Sequence, residues 1–155
     1  DSGFSFKKGI EIDLQISALI PESYIPDVHT RLVLYKRIAN AKRKEALEDL
    51  SVELMDRFGL FPEQTQNLFK IAELKLQAEA LGICKIDAGP KGGRFEFGMT
   101  PQVDPGKIIY LIQKMPTVYS LEGPQKFRFK LELSNVKTRV EEVGKLMNAL
   151  GTEQK

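Results

Sequence analysis

The stretch Pro21–Gly59, PESYIPDVHTRLVLYKRIANAKRKEALEDLSVELMDRFG, decides the reading of this chain. Its second half spells an amphipathic helix. Leu47, Leu50, Leu54 and Phe58 recur at helical steps, so they form one apolar stripe. Gly59 follows the last of them, where a left-handed C-cap costs glycine little. The spacing predicts a helix from Lys44 to Phe58. On its opposite side lie Glu45, Asp49 and Asp56, with Val52 among them and Glu53 on the shoulder. An acidic helix face is by default a solvated one, and a single exposed valine needs no explanation. An apolar residue ringed by carboxylates also suits docking against an arginine-bearing partner.

The first half of the stretch reads as a preceding helix. Pro26-Asp27 suits its opening turn, because proline is preset for that position and aspartate favours the positive end of the dipole. Val28, Leu32, Tyr35 and Ala39 repeat at helical spacing and are expected to face the core. Asn40-Ala41 breaks the helix, and Lys42-Arg43-Lys44 reads as a solvated link.

Outward from this pair, Ile10–Leu19 alternates apolar and polar residues, the period of a half-buried strand. Pro62 opens a third helix, stopped by Gly82, with Leu68, Ile71, Ala72 and Leu74 on its apolar face. Ile83–Ala88 and Arg94–Phe97 read as a hairpin around Gly89-Pro90-Lys91-Gly92-Gly93, whose glycines are expected to supply positive φ for the reversal. A short helix runs from Asp104-Pro105 to Lys114. Thr117–Leu121 and Lys126–Leu133 read as further strands. Ser134 is the expected N-cap of a last helix carrying Val136, Val140, Val143, Met147 and Leu150 on its core stripe. This order predicts an α+β fold, helices packed on a mixed or antiparallel sheet in a single domain. The folded part is expected to span 10–151, between a linker or cloning remnant (1–9) and a short tail (152–155).

Bulk properties set the outer limits. A chain of 155 residues with 42% hydrophobic side chains buries a substantial core. It opens on Asp1 rather than Met, as a piece of a longer protein does. No apolar run is long enough to span a bilayer, and no secretory leader pattern appears. The lone Cys84 excludes an internal disulfide framework and fits the cytoplasm. One histidine and one cysteine do not make a Cys/His zinc site. A formal charge of +2 does not by itself imply nucleic acid.

The usual seats of chemistry are empty. GPKGG lacks the phosphate-loop pattern and sits between strands rather than before a helix. Asp87 and Glu96 flank the hairpin, but no histidine, nucleophile or metal ligand converges on them. His29 stands alone in a first helical turn, and Cys84 reads as a small strand residue. Lys126-Phe127-Arg128-Phe129-Lys130 interleaves cations and aromatics as single-strand binders do. On a strand, however, that alternation gives an apolar inner side and a charged outer one. Nothing here points to an enzyme.

Collinear blocks carry a resemblance over about Ile10–Leu150: ALIPESYIPDVHTRLVLYKRIANAK, VELMDRFGLFPE, NLFKIAELKLQAEALGI, PKGGRFEF and VDPGKIIYLIQK. Together they resemble the C-terminal domain of the bacterial transcription-repair coupling factors, the Mfd family. The basic link at Lys42–Lys44 departs from the more acidic or threonine-containing link of that family. The resemblance implies a non-catalytic α+β regulatory domain at the end of an ATP-driven DNA translocase of nucleotide excision repair. ATP and magnesium would belong to the parent's motor, with no cofactor in this domain. The implied partner is the parent's own N-terminal UvrB-like module, on which the domain masks the surface that recruits UvrA. RNA polymerase, UvrA and double-stranded DNA would be partners of the parent, with no membrane involved. The family's clamp residues fall in VEL-x-D-RFG, which gives Glu53 and Asp56 here, with Val52 as an apolar contact. The other readings are direct nucleic-acid binding through the basic strand, or docking to RNA polymerase.

Overall fold

A computed structural model describes residues 9–152; nearly all of the expected linker and tail lies outside the described residues. The elements run β1 (Glu11–Asp13), α1 (Val28–Asn40), α2 (Lys44–Phe58), α3 (Glu63–Leu81), β2 (Ile83–Gly89) and β3 (Gly92–Phe97). They continue with α4 (Pro105–Lys114), β4 (Tyr119–Glu122), β5 (Lys126–Lys130) and α5 (Val136–Leu150). The fold is α+β with a mixed five-stranded sheet, as the order of elements predicts. The chain groups into two compact units, Ile16–Leu76 and the remainder.

The helical unit, Ile16–Leu76, is built on one core of Ile20, Ile25, Leu34, Ile38, Leu47, Leu50, Leu54 and Phe69. Its first residues explain why β1 is short where the alternation predicts a strand over Ile10–Leu19. The Leu19 amide donates to the Gln64 carbonyl (3.1 Å), Thr65 Oγ1 to the Leu19 carbonyl (3.0 Å) and Asn67 Nδ2 to the Ser17 carbonyl (3.0 Å). These backbone groups are committed to α3 and so are not available to a sheet ladder. Gln15 adopts φ 58°, which ends the extended backbone. The alternation in burial survives without the ladder: Leu14 and Ile20 are buried, while Asp13, Gln15 and Ser17 are exposed.

The α1 stripe is the main departure from expectation. Leu34 and Ile38 are buried, Tyr35 is half-buried, and Val28 and Leu32 are 59% and 58% exposed; Ala39 is exposed as well. Polar anchors fix the helix in this rotation. The Tyr35 hydroxyl accepts from the Ile20 amide at 2.7 Å, and Arg31 donates to the Ile25 and Pro26 carbonyls at 2.7 and 3.0 Å. Asp27 caps the helix, accepting from the Thr30 amide at 2.9 Å.

In the other unit the strand order is β1-β2-β3-β5-β4, with β1 parallel to β2 and every other pair antiparallel. Ile12, Ile86, Phe95, Phe127 and Leu121 fall in one cross-strand row, buried at Ile86, Phe95 and Phe127 and open at the edge, where Leu121 is 46% exposed. Tyr119 pairs with Phe129 in the neighbouring row. Of the hairpin glycines only Gly92 has positive φ, +128°. Gly93 is required for a different reason: a Cβ there would run into the Asp87 carbonyl of the facing strand. β5 ends at Lys130 rather than Leu133, because the Leu131 and Leu133 amides turn to the Lys91 and Pro90 carbonyls at 3.2 and 2.8 Å.

α5 is capped by Asn135, which accepts from the Thr138 amide at 3.0 Å, and not by Ser134. The Ser134 hydroxyl and amide are instead engaged by the Glu132 carboxylate. Val140, Val143, Met147 and Leu150 are buried as the stripe predicts, and Arg139 is buried beside them.

Candidate docking surface

The rotation of α2 is set by its buried side and its C-terminal anchor. Leu47, Leu50 and Leu54 are buried, and Phe58 packs on the same core. Gly59 ends the helix at φ +96°, its amide donating to the Met55 carbonyl at 2.9 Å. The Tyr24 hydroxyl donates to the Gly59 carbonyl at 2.6 Å while its ring meets Phe58 edge-on. Phe61 stacks on Phe69 with ring centroids 5.0 Å apart. This aromatic clasp fixes which residues α2 turns outward.

Those residues are Glu45, Glu48, Asp49, Val52 and Asp56, all exposed, with Val52 at 55%. Among the described residues no ion pair engages Glu45, Asp49 or Asp56. Glu53 stands on the shoulder, as its spacing predicts, and it is already partnered. Arg37 of α1 places Nη1 2.9 Å from Oε2 and Nη2 2.9 Å from Oε1, a bidentate fork. Arg57, one turn along α2, lies 3.7 Å from Oε2 and lays its guanidinium over the Phe58 ring. The Arg37 hydrogen bonds hold the Glu53 carboxyl below the usual carboxylate range and raise the guanidinium's own pKa. The Arg57 contact was open to sequence reading as an i,i+4 pair. The Arg37 contact was not, because it joins two helices.

The basic strand takes the arrangement of an ordinary amphipathic strand. Phe127 and Phe129 are buried while Arg128 and Lys130 are exposed. On that outer face the register lines up Glu11, Lys85, Glu96, Lys126 and Glu122, and beside them Asp13, Asp87, Arg94, Arg128 and Ser120. Arg94 sits between Asp87 and Glu96 at 3.5 and 3.1 Å, and Arg128 reaches Glu122 at 3.0 Å. Carboxylates interleave the cations, so the face offers no continuous basic track to a phosphate backbone. His29 and Cys84 are both exposed and in separate units. Among the described residues there is no group of three or more His, Cys, Asp or Glu able to hold a metal, and no helix long and apolar enough to cross a membrane.

Fold and surface thus define a small α+β domain with an acidic, valine-centred helix face. The TRCF domain model matches residues 14–108, and the chain belongs to that family. It is 49% identical over 140 residues to a transcription-repair-coupling factor of Haemophilus influenzae and 46% identical over 140 residues to that of Escherichia coli K12. Each alignment covers 90% of this chain and 12% of the relative, so the chain spans about an eighth of the length of the relatives it matches. A crystal structure of the C-terminal domain of a transcription-repair coupling factor superposes with a TM-score of 0.77, covering 91% of both chains at 19% identity. That last likeness is one of fold.

Proposed function

We propose that this chain is the non-catalytic regulatory domain of a transcription-repair coupling factor and that the outward face of α2 docks on the parent's N-terminal UvrB-like module. Docking there masks the surface that recruits UvrA until the motor engages stalled RNA polymerase. The observation that carries this reading is Val52, 55% exposed beside Glu45, Asp49 and Asp56, which no ion pair engages among the described residues, on a helix whose rotation the Tyr24 clasp fixes. Asp56 and Glu53 are the proposed arginine ligands, Val52 the apolar contact, and Asp49 and Glu45 the acidic surround.

The energetics suit a releasable clamp. An exposed ion pair contributes about 0.2–1 kcal/mol. A tethered contact has an effective concentration on the order of 1 mM, so a binding free energy near −4 kcal/mol already half-closes it. Three such ion pairs at the upper end of their range, with an apolar neighbour contributing about 1 kcal/mol, approach that value and still yield to a change in motor conformation.

Calorimetric titration of this chain with the N-terminal module tests the reading, with Glu53→Lys/Asp56→Lys compared at low and moderate salt. Salt-sensitive binding that the double variant loses, with its circular dichroism unchanged, is the expected result. Binding that survives the double substitution places the contact on another face.

A further inference from the structure

Glu53 has the most fully determined geometry on the α2 face. Arg37 occupies both of its oxygens at 2.9 Å, and Arg57 stands 3.7 Å from one of them. Two guanidiniums therefore face one carboxylate, and the charge at this point is positive although the exposed residues around it are acidic. A carboxylate offers about four acceptor positions, of which the Arg37 fork uses one on each oxygen, and Arg57 faces Oε2. A third guanidinium, brought by a partner, has no free fork on Glu53 while Arg37 holds it. It also meets two like charges at close range.

Asp56 differs from Glu53 in this respect, since no ion pair engages it among the described residues and no contact must break before it binds. The two carboxylates are one turn apart on one helix, so an arginine-bearing surface that reaches Asp56 arrives beside Arg37 and Arg57. The Arg37–Glu53 pair is half-exposed, with side chains 46% and 39% accessible, and so exchanges with modest loss.

We infer that Arg37 is an internal competitor for Glu53, setting the affinity of the α2 face by occupying the carboxylate that a partner's arginine must take. The inference rests on the α2 face being the docking surface proposed above. Arg37 acts through Glu53 and is a positioning residue, not a contact in the closed clamp. Removing it frees both oxygens and withdraws one repelling charge, so the variant docks more tightly than the native chain.

The test uses the full-length parent protein and measures capture of UvrA for native, Arg37→Gln, Arg37→Lys, Glu53→Gln, Arg37→Gln/Glu53→Gln and Glu53→Lys/Asp56→Lys forms. Circular dichroism of each variant checks the fold. A tighter clamp exposes less of the UvrA surface, so Arg37→Gln lowers capture roughly two- to fivefold, the range of one exposed ion pair. Arg37→Lys keeps the charge, loses the fork and lowers it less. In the Glu53→Gln background, Arg37→Gln makes a smaller difference, because only the repelling charge is left to remove. Capture that is unchanged or raised by Arg37→Gln overturns the inference, as does an equal fall with and without Glu53. Capture unchanged by Glu53→Lys/Asp56→Lys instead overturns the docking reading itself, and the inference with it.

Discussion

Replacing Arg139 with methionine removes a buried cation that no carboxylate pairs among the described residues. The side chain is 3% exposed; its Nε donates to the Leu133 carbonyl at 2.9 Å, and its Nη1 to the Leu14 carbonyl at 2.7 Å. Those carbonyls belong to residues that are each 1% exposed, so water does not readily replace the lost donor. Methionine keeps most of the aliphatic stem, which makes the cavity contribution small. Two charge-assisted hydrogen bonds contribute about 3–6 kcal/mol gross. Relief of the buried cation's desolvation returns part of that, leaving a net loss of about 2–4 kcal/mol. For a chain of this size that lowers the midpoint of thermal unfolding by about 5–15 °C. Arg139→Lys, which reaches one carbonyl but not both, is expected to fall between. Circular dichroism melts give the midpoints, and amide exchange locates the loosening at Leu14–Gln15 and at the turn before α5. A drop of less than about 2 °C for Arg139→Met would show that the carbonyls find other partners and that the link does not hold these segments together.

Two further outcomes follow from residues already described. On α1, Leu34→Ala is expected to cost about 2–5 kcal/mol as a core truncation, whereas Leu32→Ala stays within about 0.5 kcal/mol; denaturant titration distinguishes them, and equal losses would contradict the observed rotation of the helix. Acid lowers stability through Glu53, Asp27 and Glu132, whose carboxyls are held low by hydrogen bonds from Arg37, Thr30 and Ser134. Because a lowered folded pKa gives stability present above the unfolded value and lost as pH falls through the folded one, melting temperature should be flat near neutrality and decline below about pH 4. Arg37→Gln should flatten part of that decline, and an unchanged acid limb would rule the Glu53 pair out as a contributor.

How much of this was legible in the sequence depended on whether a pattern had one physical solution. α2 had one: Leu47, Leu50, Leu54 and Phe58 form the one apolar stripe that runs the length of the helix, and Gly59 ends it. α1 had two, since Val28, Leu32 and Ala39 on one side compete with Leu34 and Ile38 on the other. Periodicity alone does not choose between them, because the choice is made by Tyr35 and Arg31 gripping backbone groups of Ile20 and Ile25. The short β1 has the same origin. Alternation reports burial, and burial does alternate there, but a ladder also needs free backbone groups, and those of Ser17 and Leu19 are committed to α3.

The candidate surface divides along the same line. That Glu45, Asp49, Val52 and Asp56 point outward is a property of one helix and its own periodicity, so residue spacing sufficed. That Glu53 is occupied is a property of two helices, and spacing within α2 is silent about Arg37, sixteen positions earlier in the chain. The distinction changes what the acidic motif means. A motif read along one helix treats Glu53 and Asp56 as equivalent carboxylates, one turn apart and both available. In the folded chain only Asp56 has that freedom, while Glu53 is shared with a guanidinium that any incoming arginine must displace. If the proposed docking holds, a partner's arginine at Glu53 would be weighed against an internal contact of comparable strength, so that position would add little net affinity while Asp56 and Val52 carry the contact.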